Sequence, residues 1–254
     1  MTNFATAADG IRLAYDIVGD GPKDIVLIHG FASSRAQNWR DTGWYDTLTG
    51  AGFAVTAMDV RGHGESDKPH DPAAYRDLAG DVLAVMDDAD IGVAHVMGYS
   101  MGGMIAIHVL LNHPERVASL VIGGVGESYV KRGRDADVVR RSMIADALLA
   151  PDPAKIADPT GRGFRAFVDQ PGKDRLALAA CMQAPSSVLP REALAKAQRP
   201  VLVVCGEKDE LTGAPDGLAS AFPNGRAVTV PKRDHMTAVG DRIYKDAVLE
   251  FLGS

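Results

Sequence analysis

Three side chains have the types and the chain order that nucleophilic catalysis by a serine needs. Ser100 is the centre of Gly98-Tyr-Ser100-Met-Gly102, a G-x-S-x-G motif that follows an apolar run and opens a segment of helical composition. In a strand–turn–helix setting, such a motif lifts the serine hydroxyl out of a sharp turn. Glycine is required at its ends because neighbouring backbones pass too close for a Cβ. The motif therefore predicts that Ser100 is an acylated nucleophile.

A serine hydroxyl is a weak nucleophile near neutral pH, so an adjacent base must take its proton. His235 is the candidate base, since it lies in a loop between an apolar run and the last helical segment. A carboxylate must then fix the tautomer of this imidazole. Asp209, directly after the apolar run 201–205, is the candidate acid, and Glu127, after the run 117–122, is the alternative.

Acyl transfer also needs hydrogen-bond donors for the negative charge that develops on the carbonyl oxygen. The backbone N–H of Met101, next to Ser100, is one expected donor. The N–H of Phe31, in the loop His29-Gly30-Phe31-Ala32 after an apolar run, is the other.

Three further side chains are expected to line the substrate pocket. Tyr99 and Met236 are the chain neighbours of Ser100 and His235, and Trp39 follows the loop that contains Phe31. An indole can cover an apolar pocket. Packing of Trp39 in the core beneath the loop, together with Trp44, is an equally good interpretation.

Short apolar runs recur along the chain and alternate with segments of helical spacing. The runs are residues 25–28, 53–58, 94–98, 117–122, 201–205 and 227–230. The helical segments are residues 73–89, 101–112 and 240–252. Unbroken apolar runs of this length are typical of strands buried on both faces. The pattern predicts an α/β fold with a doubly wound, mostly parallel sheet, and Asp9-Gly10 adds an antiparallel hairpin at its edge.

One long segment interrupts this alternation. Residues 124–199 contain six prolines and no convincing strand, which is too long for a structureless connection. We predict a helical cap here, inserted into a core made of residues 1–123 and 200–254. The cap carries 13 basic and 9 acidic side chains. Its basic run Lys131-Arg-Gly-Arg134 and Arg140-Arg141 indicates a solvated face or, alternatively, a site for a carboxylate-bearing substrate.

Composition narrows the classes of function. The chain has 254 residues, 46% hydrophobic, and a net charge of −6, which is typical of one globular domain and argues against nucleic-acid binding. No apolar run is long enough to span a membrane, and no signal peptide is visible at the N-terminus, so we expect a cytoplasmic protein. With two cysteines, neither a disulfide framework nor a thiolate metal site is expected. The sequence predicts no cofactor and leaves a homodimer open.

These motifs together resemble the α/β-hydrolase fold family over nearly the whole chain. The matching pieces are His29-Gly30-Phe31, Asp59-Val-Arg61-Gly62-His63-Gly64-Glu-Ser66, Gly98-Tyr-Ser100-Met-Gly102-Gly103, Gly206-Glu-Lys-Asp209 and Asp234-His235. The resemblance implies a Ser100–His235–Asp209 triad under a cap, with the stretch from Asp59 bracing the site. Ser100 at the elbow, rather than Asp, argues against epoxide hydrolase and haloalkane dehalogenase activity.

The resemblance implies a hydrolase of small to medium carboxylic esters, with a small-molecule ester or lactone as its partner. Enol-lactonases and carbon–carbon bond hydrolases of aromatic catabolism use the same triad and stay open as alternatives. A function of another class, a ligand-binding sensor that retains the triad, is also open. The fold and the triad do not name the substrate.

Overall fold

The computed structural model describes residues 2–185 and 188–253, apart from the side chain of Arg132. Within this part of the chain, eight strands form one sheet in the order β1-β2-β4-β3-β5-β6-β7-β8. They are β1 (Asn3–Thr6), β2 (Arg12–Val18), β3 (Lys23–Ile28), β4 (Phe53–Met58), β5 (Ala94–Tyr99), β6 (Val117–Gly123), β7 (Val201–Gly206) and β8 (Gly225–Val230). The hairpin β1–β2 is antiparallel and joins β4 antiparallel, while the remaining pairs are parallel. This confirms the predicted fold class.

The parallel strands are apolar throughout because the sheet is covered on both faces. In β3, Ile25 and Leu27 pack into one hydrophobic core, while Val26 and Ile28 pack into the core on the opposite face. Successive side chains of a strand point to opposite faces, so only a continuous apolar run satisfies both cores.

Nine α-helices lie in the described residues. They are α1 (Trp44–Gly50), α2 (Leu78–Asp88), α3 (Met101–Asn112), α4 (Ser128–Leu149), α5 (Pro159–Val168), α6 (Arg175–Gln183), α7 (Arg191–Leu194), α8 (Asp216–Ala219) and α9 (Arg242–Gly253). Helix α2 is shorter than the predicted span 73–89. Asp77 caps its first turn by accepting from the N–H of Gly80, and Pro72–Tyr75 forms a separate 3₁₀ turn. None of the helices in these residues is long and apolar enough to cross a membrane.

The segment between β6 and β7 holds α4 to α7. Helix α4 is broken at Gly133, whose φ of 68° and ψ of 170° are not helical. Helix α4 packs on α5 and α6. Ile144 and Leu148 of α4 form a small separate core with Val168 and Leu178. This small core also contains Ala32, from the loop after β3, so the helices lie over the ends of the strands.

Candidate active site

Ser100 sits at the turn between β5 and α3, with a φ of 53° and a ψ of −116°. A residue other than glycine rarely adopts this backbone conformation. The conformation persists only where the surrounding structure imposes it. Two glycines make the turn possible. A Cβ on Gly98 would collide with the carbonyl of Gly102, and a Cβ on Gly102 would collide with the carbonyl oxygen of Ile28. The close approach of α3 to β5 and β3 therefore requires both glycines.

The structure brings Ser100, His235 and Asp209 together. The hydroxyl of Ser100 lies 3.1 Å from Nε2 of His235, and Nδ1 of His235 lies 2.8 Å from Oδ2 of Asp209. The carboxylate cannot donate, so Nδ1 carries the proton, and Nε2 is left as the acceptor for the serine hydroxyl. The arrangement has the geometry of a serine nucleophile with a base and an orienting acid.

Asp209 is buried at the end of β7, yet its carboxylate is well provided with donors. The N–H groups of Leu211 and Thr212 each donate to its Oδ1 at 3.1 Å, while Oδ2 accepts from His235. Burial alone would raise the pKa of Asp209, but the hydrogen bond from His235 and the donors at Thr212 hold that pKa below its usual value. Asp209 is therefore a stable anion beside the imidazole.

The loop of His235 is fixed by its neighbours. Tyr99 Oη donates to the backbone carbonyl of His235 at 2.6 Å, and the two rings are 5.5 Å apart. Asp234 accepts from the N–H groups of Met236 and Thr237, which folds the loop into a tight turn. Tyr99, expected as a pocket residue, thus also positions the imidazole.

The loop after β3 lies against the turn that carries Ser100. A Cβ on Gly30 would lie 3.3 Å from the Cβ of Ser100, so the backbone of the loop passes beside the nucleophile. Met101 begins α3, where the first-turn N–H groups have no partner within the helix. Phe31 lines the same cavity as Ser100 and Met101.

The stretch that starts at Asp59 braces this loop from behind. The N–H of Val60 donates to Nε2 of His29 at 3.0 Å, and the N–H of Arg35 donates to Asp59 at 2.7 Å. The guanidinium of Arg35 pairs with the same carboxylate. The ring of His63 packs against both His29 and Phe31.

An apolar cavity of about 460 Å³ opens above Ser100. Tyr99 and Met236 line it as expected, and Met236 is 62% exposed at its edge. The prediction that Trp39 lines the pocket is wrong. Trp39 is fully buried in the core that α1 and α9 form with the sheet, edge-to-face with Trp44 at 6.2 Å.

Glu127, the alternative acid, pairs with a lysine, and the basic run lies only partly in the cavity wall. Glu127 pairs with Lys131 at 2.7 Å, on the outside of α4, and His235 has Asp209 as its carboxylate partner. Arg140 and Arg141 line the cavity wall, and Arg141 donates to the carbonyl of Cys181. The run is therefore divided between solvent and cavity. Arg132, one of its members, lies outside the described side chains.

The structure also brings a residue to the cavity that the sequence analysis did not select. Asn38 lies on a single π-helical turn, Ala36–Arg40, and lines the cavity beside Gly30. No spacing or motif marks a lone asparagine in a loop, so the sequence carried no signal for it. Single π-helical turns are rare and are frequently found at functional sites.

This chain is similar in sequence to known proteins. A family model described as alpha/beta hydrolase fold matches residues 24–142. The acetyltransferase component of the acetoin cleaving system of Pseudomonas putida is 30% identical over 231 residues. That alignment covers 87% of this chain and 61% of the relative, so the chain spans about three fifths of that protein's length.

Two further relatives match different shares of the chain. A 2-hydroxy-6-oxononadienedioate/2-hydroxy-6-oxononatrienedioate hydrolase of Escherichia coli is 34% identical over 131 residues, which is 49% of this chain and 43% of that protein. The crystal structure of a hydrolase from Pseudomonas aeruginosa PA01 superposes with a TM-score of 0.79 at 28% identity. This superposition covers 100% of this chain and 98% of the other.

Proposed function

Because this chain belongs to the α/β-hydrolase fold family, we propose that it is a serine hydrolase of small to medium carboxylic esters. One observation carries the proposal. The hydroxyl of Ser100 is 3.1 Å from an imidazole nitrogen of His235, whose other nitrogen is 2.8 Å from Asp209, at the floor of an apolar cavity. These three side chains would form the catalytic triad.

In the proposed acylation step, Oγ of Ser100 attacks the ester carbonyl while Nε2 of His235 takes the hydroxyl proton. The negative charge on the carbonyl oxygen is stabilised by the backbone N–H groups of Phe31 and Met101. Collapse of this intermediate breaks the bond to the alcohol oxygen, which receives the proton from His235. The products are the free alcohol and an ester of Ser100.

Deacylation repeats these steps with water. Nε2 of His235 takes a proton from a water molecule while the water oxygen attacks the acyl carbon. The imidazolium then gives this proton to Oγ of Ser100 when the carboxylic acid leaves. The carboxylate of Asp209 stabilises the imidazolium in both steps and keeps its ring in one orientation. No atom outside the chain, the ester and water is needed to balance either step.

A second candidate is a hydrolase of acidic substrates, by lactone opening or carbon–carbon bond cleavage. The observation that favours it is the pair Arg140 and Arg141 in the wall of the cavity above Ser100. The Escherichia coli relative is named for a dioate substrate, which carries two carboxylates. Guanidinium groups bind carboxylates strongly, so these arginines are the residues on which this candidate depends.

We further propose that residues 124–199 act as a cap that limits the size of the substrate. Ile144, Phe164 and Met182 from this segment line the cavity, so its helices form part of the cavity wall. A wall of this kind suits acyl groups that fit a cavity of limited volume rather than a lipid surface.

The test measures the turnover of a panel of substrates by the purified protein, with Ser100→Ala as the control. The panel contains nitrophenyl esters, lactones, thioesters and a vinylogous diketone that carries two carboxylates. Ester hydrolysis that disappears in Ser100→Ala supports the proposal. Preference for the acidic substrates, lost when Arg140 and Arg141 are replaced by Gln, would favour the second candidate. A protein that binds these compounds without turnover would be a sensor and would contradict both.

A further inference from the structure

Asn38 has a buried carboxamide whose two ends have different surroundings. Its Oδ1 accepts from the N–H of Gly30 at 3.1 Å. Because an N–H can donate only to the oxygen, this bond fixes which end of the carboxamide faces Gly30. Its Nδ2 is buried, and no atom in the described part of the chain accepts a hydrogen bond from it.

A buried NH₂ group without an acceptor is costly, and the great majority of such groups in folded proteins have a partner. Asn38 is only 6% exposed and lines the same cavity as Ser100. A bound substrate in the cavity could supply the partner that this NH₂ lacks among the described residues.

The segment that carries Asn38 is held in place on both sides. The N–H of Asp41 closes the π-turn on the carbonyl of Ala36, and Thr42 Oγ1 donates to the carbonyl of Asn38 at 2.6 Å. Arg35, just before the turn, is anchored to Asp59 by its backbone and its guanidinium. The carboxamide is thus fixed before any substrate arrives, which is the condition for a selective contact.

The position of Asn38 relative to the nucleophile limits what it can reach. Gly30 is close to both residues, since a Cβ there would be 3.3 Å from the Cβ of Ser100 and 3.7 Å from Oδ1 of Asn38. An acyl group attached to Ser100 would therefore have its first atoms in the same part of the cavity as Asn38. Hydrocarbon at that point would leave the NH₂ of Asn38 without a partner.

We propose that Nδ2 of Asn38 donates a hydrogen bond to an oxygen within the first few atoms of the acyl group. The site would then select alkoxy, hydroxy or oxo acyl groups over plain fatty acyl groups of the same length. Asn38 is a specificity residue in this account, and the inference rests on the proposed ester hydrolase function. A site built to donate to a substrate oxygen discriminates against the analogue that lacks it.

The test compares nitrophenyl methoxyacetate with nitrophenyl butanoate, which differ by an oxygen in place of one CH₂. The ratio of their kcat/KM values is divided by the ratio of their alkaline hydrolysis rates, which removes the difference in chemical reactivity. We expect this corrected ratio to favour methoxyacetate by roughly tenfold in the wild-type protein. A corrected ratio near one would overturn the inference.

Asn38→Asp keeps an acceptor for the N–H of Gly30 and replaces the donor by an acceptor. Its corrected ratio is expected to fall by roughly tenfold, and that of Asn38→Ala, which adds no charge, is expected to fall as well. Asn224→Asp makes the same change from Asn to Asp at an exposed position that is not among the residues lining the cavity. Its corrected ratio is expected to stay at the wild-type value.

The outcomes separate this inference from the function on which it rests. If Asn38→Asp and Asn38→Ala lose activity on both esters equally, Asn38 has only a structural role and the inference is wrong, while the ester hydrolase function stands. If the wild-type protein hydrolyses neither ester, the proposed function is wrong and the inference fails with it.

Discussion

Asp209 contacts the imidazole of His235 through one hydrogen bond of 2.8 Å, and an isosteric replacement tests what that bond does. In Asp209→Asn, an amide NH₂ facing Nδ1 favours the tautomer whose Nε2 carries the proton and cannot accept from Ser100. We expect kcat for a nitrophenyl ester to fall by about 10⁴-fold with the fold intact. Steady-state kinetics, with circular dichroism of both proteins, measure this.

Glu127→Gln is the matched control, since it makes the same acid-to-amide change at the alternative acid. Glu127, at the start of α4, pairs with the exposed Lys131, and ion pairs open to solvent contribute little to stability. We expect kcat within about twofold of the wild type. A large loss in Glu127→Gln, together with an active Asp209→Asn, would mean that the wrong acid has been assigned.

His63 makes the stability of the protein depend on pH. Burial lowers the pKa of its imidazole to about 3, whereas a histidine in an unfolded chain has a pKa of about 6.5. At a pH between these two values, the imidazole of His63 is protonated in the unfolded state and neutral in the folded state. The free energy of unfolding therefore falls as the pH falls through this window. The contribution is up to about 1.4 kcal/mol per pH unit.

Urea unfolding of the wild type and of His63→Gln, between pH 7 and pH 4.5, measures this dependence. The variant loses packing against Phe31 and His29, so its stability is lower at every pH. The slope is the informative quantity, and we expect it to be shallower in the variant. Equal slopes would show that the pKa of His63 is the same in the folded and the unfolded protein, which would contradict this account.

The sequence predicted which polar side chains the structure brings together at the strand ends, and it was less informative about side chains whose places depend on packing. Ser100, Asp209 and His235 follow strand ends, which parallel strands bring to one edge of the sheet. Trp39 was wrongly assigned because an indole after a loop can face a cavity or a core with the same sequence. Asn38 was missed because its significance lies in an unpaired nitrogen, which only three-dimensional coordinates reveal.

At the scale of elements, the packing of α3 against β3 depends on Gly102. In Gly102→Ala, the new methyl group would meet the carbonyl oxygen of Ile28, which belongs to the central sheet and cannot move aside cheaply. We expect a loss of about 3 kcal/mol or more in the free energy of unfolding. Activity should fall too, because Ser100 directly precedes the displaced helix.

Gly163→Ala is the control for the loss of a glycine as such. Gly163 lies within α5, and a Cβ there would have no neighbour within 4 Å. Alanine is a better helix former, so this variant should gain about 0.5–1 kcal/mol. Thermal unfolding of the two variants measures both effects, and equal stability of the two would contradict the account of the turn.

The strands were predictable because burial on both faces demands an unbroken apolar run. Phe53–Met58 matches its predicted bounds, and the other parallel strands differ by one or two residues at an end. Helix α3 also matches its predicted bounds, 101–112, whereas the start of α2 was misjudged because it depends on capping by Asp77 rather than on apolar spacing. The break of α4 at Gly133 could not be anticipated, because an isolated glycine is also tolerated within a helix.

At the scale of the whole molecule, the cavity and the helices over it set the expected range of substrates. The cavity is about 460 Å³ and is lined mainly by apolar side chains. We expect kcat/KM to be highest for acyl groups of roughly four to eight carbons, without a rise in rate at a lipid interface. A chain-length series of nitrophenyl esters, below and above the micellar threshold, measures this. A steady rise to sixteen carbons would contradict the proposed cap.

The central claim is that Ser100 becomes covalently acylated, and labelling with a fluorophosphonate tests it most directly. Ser33 and Ser128 line the same cavity and serve as internal controls. After digestion, mass spectrometry should find one phosphonyl group on the peptide that contains Ser100. His235→Ala should label far more slowly, since the base is lost, and Ser100→Ala should not label. Labelling of Ser33 or Ser128 instead, or labelling that persists in Ser100→Ala, would contradict the claim.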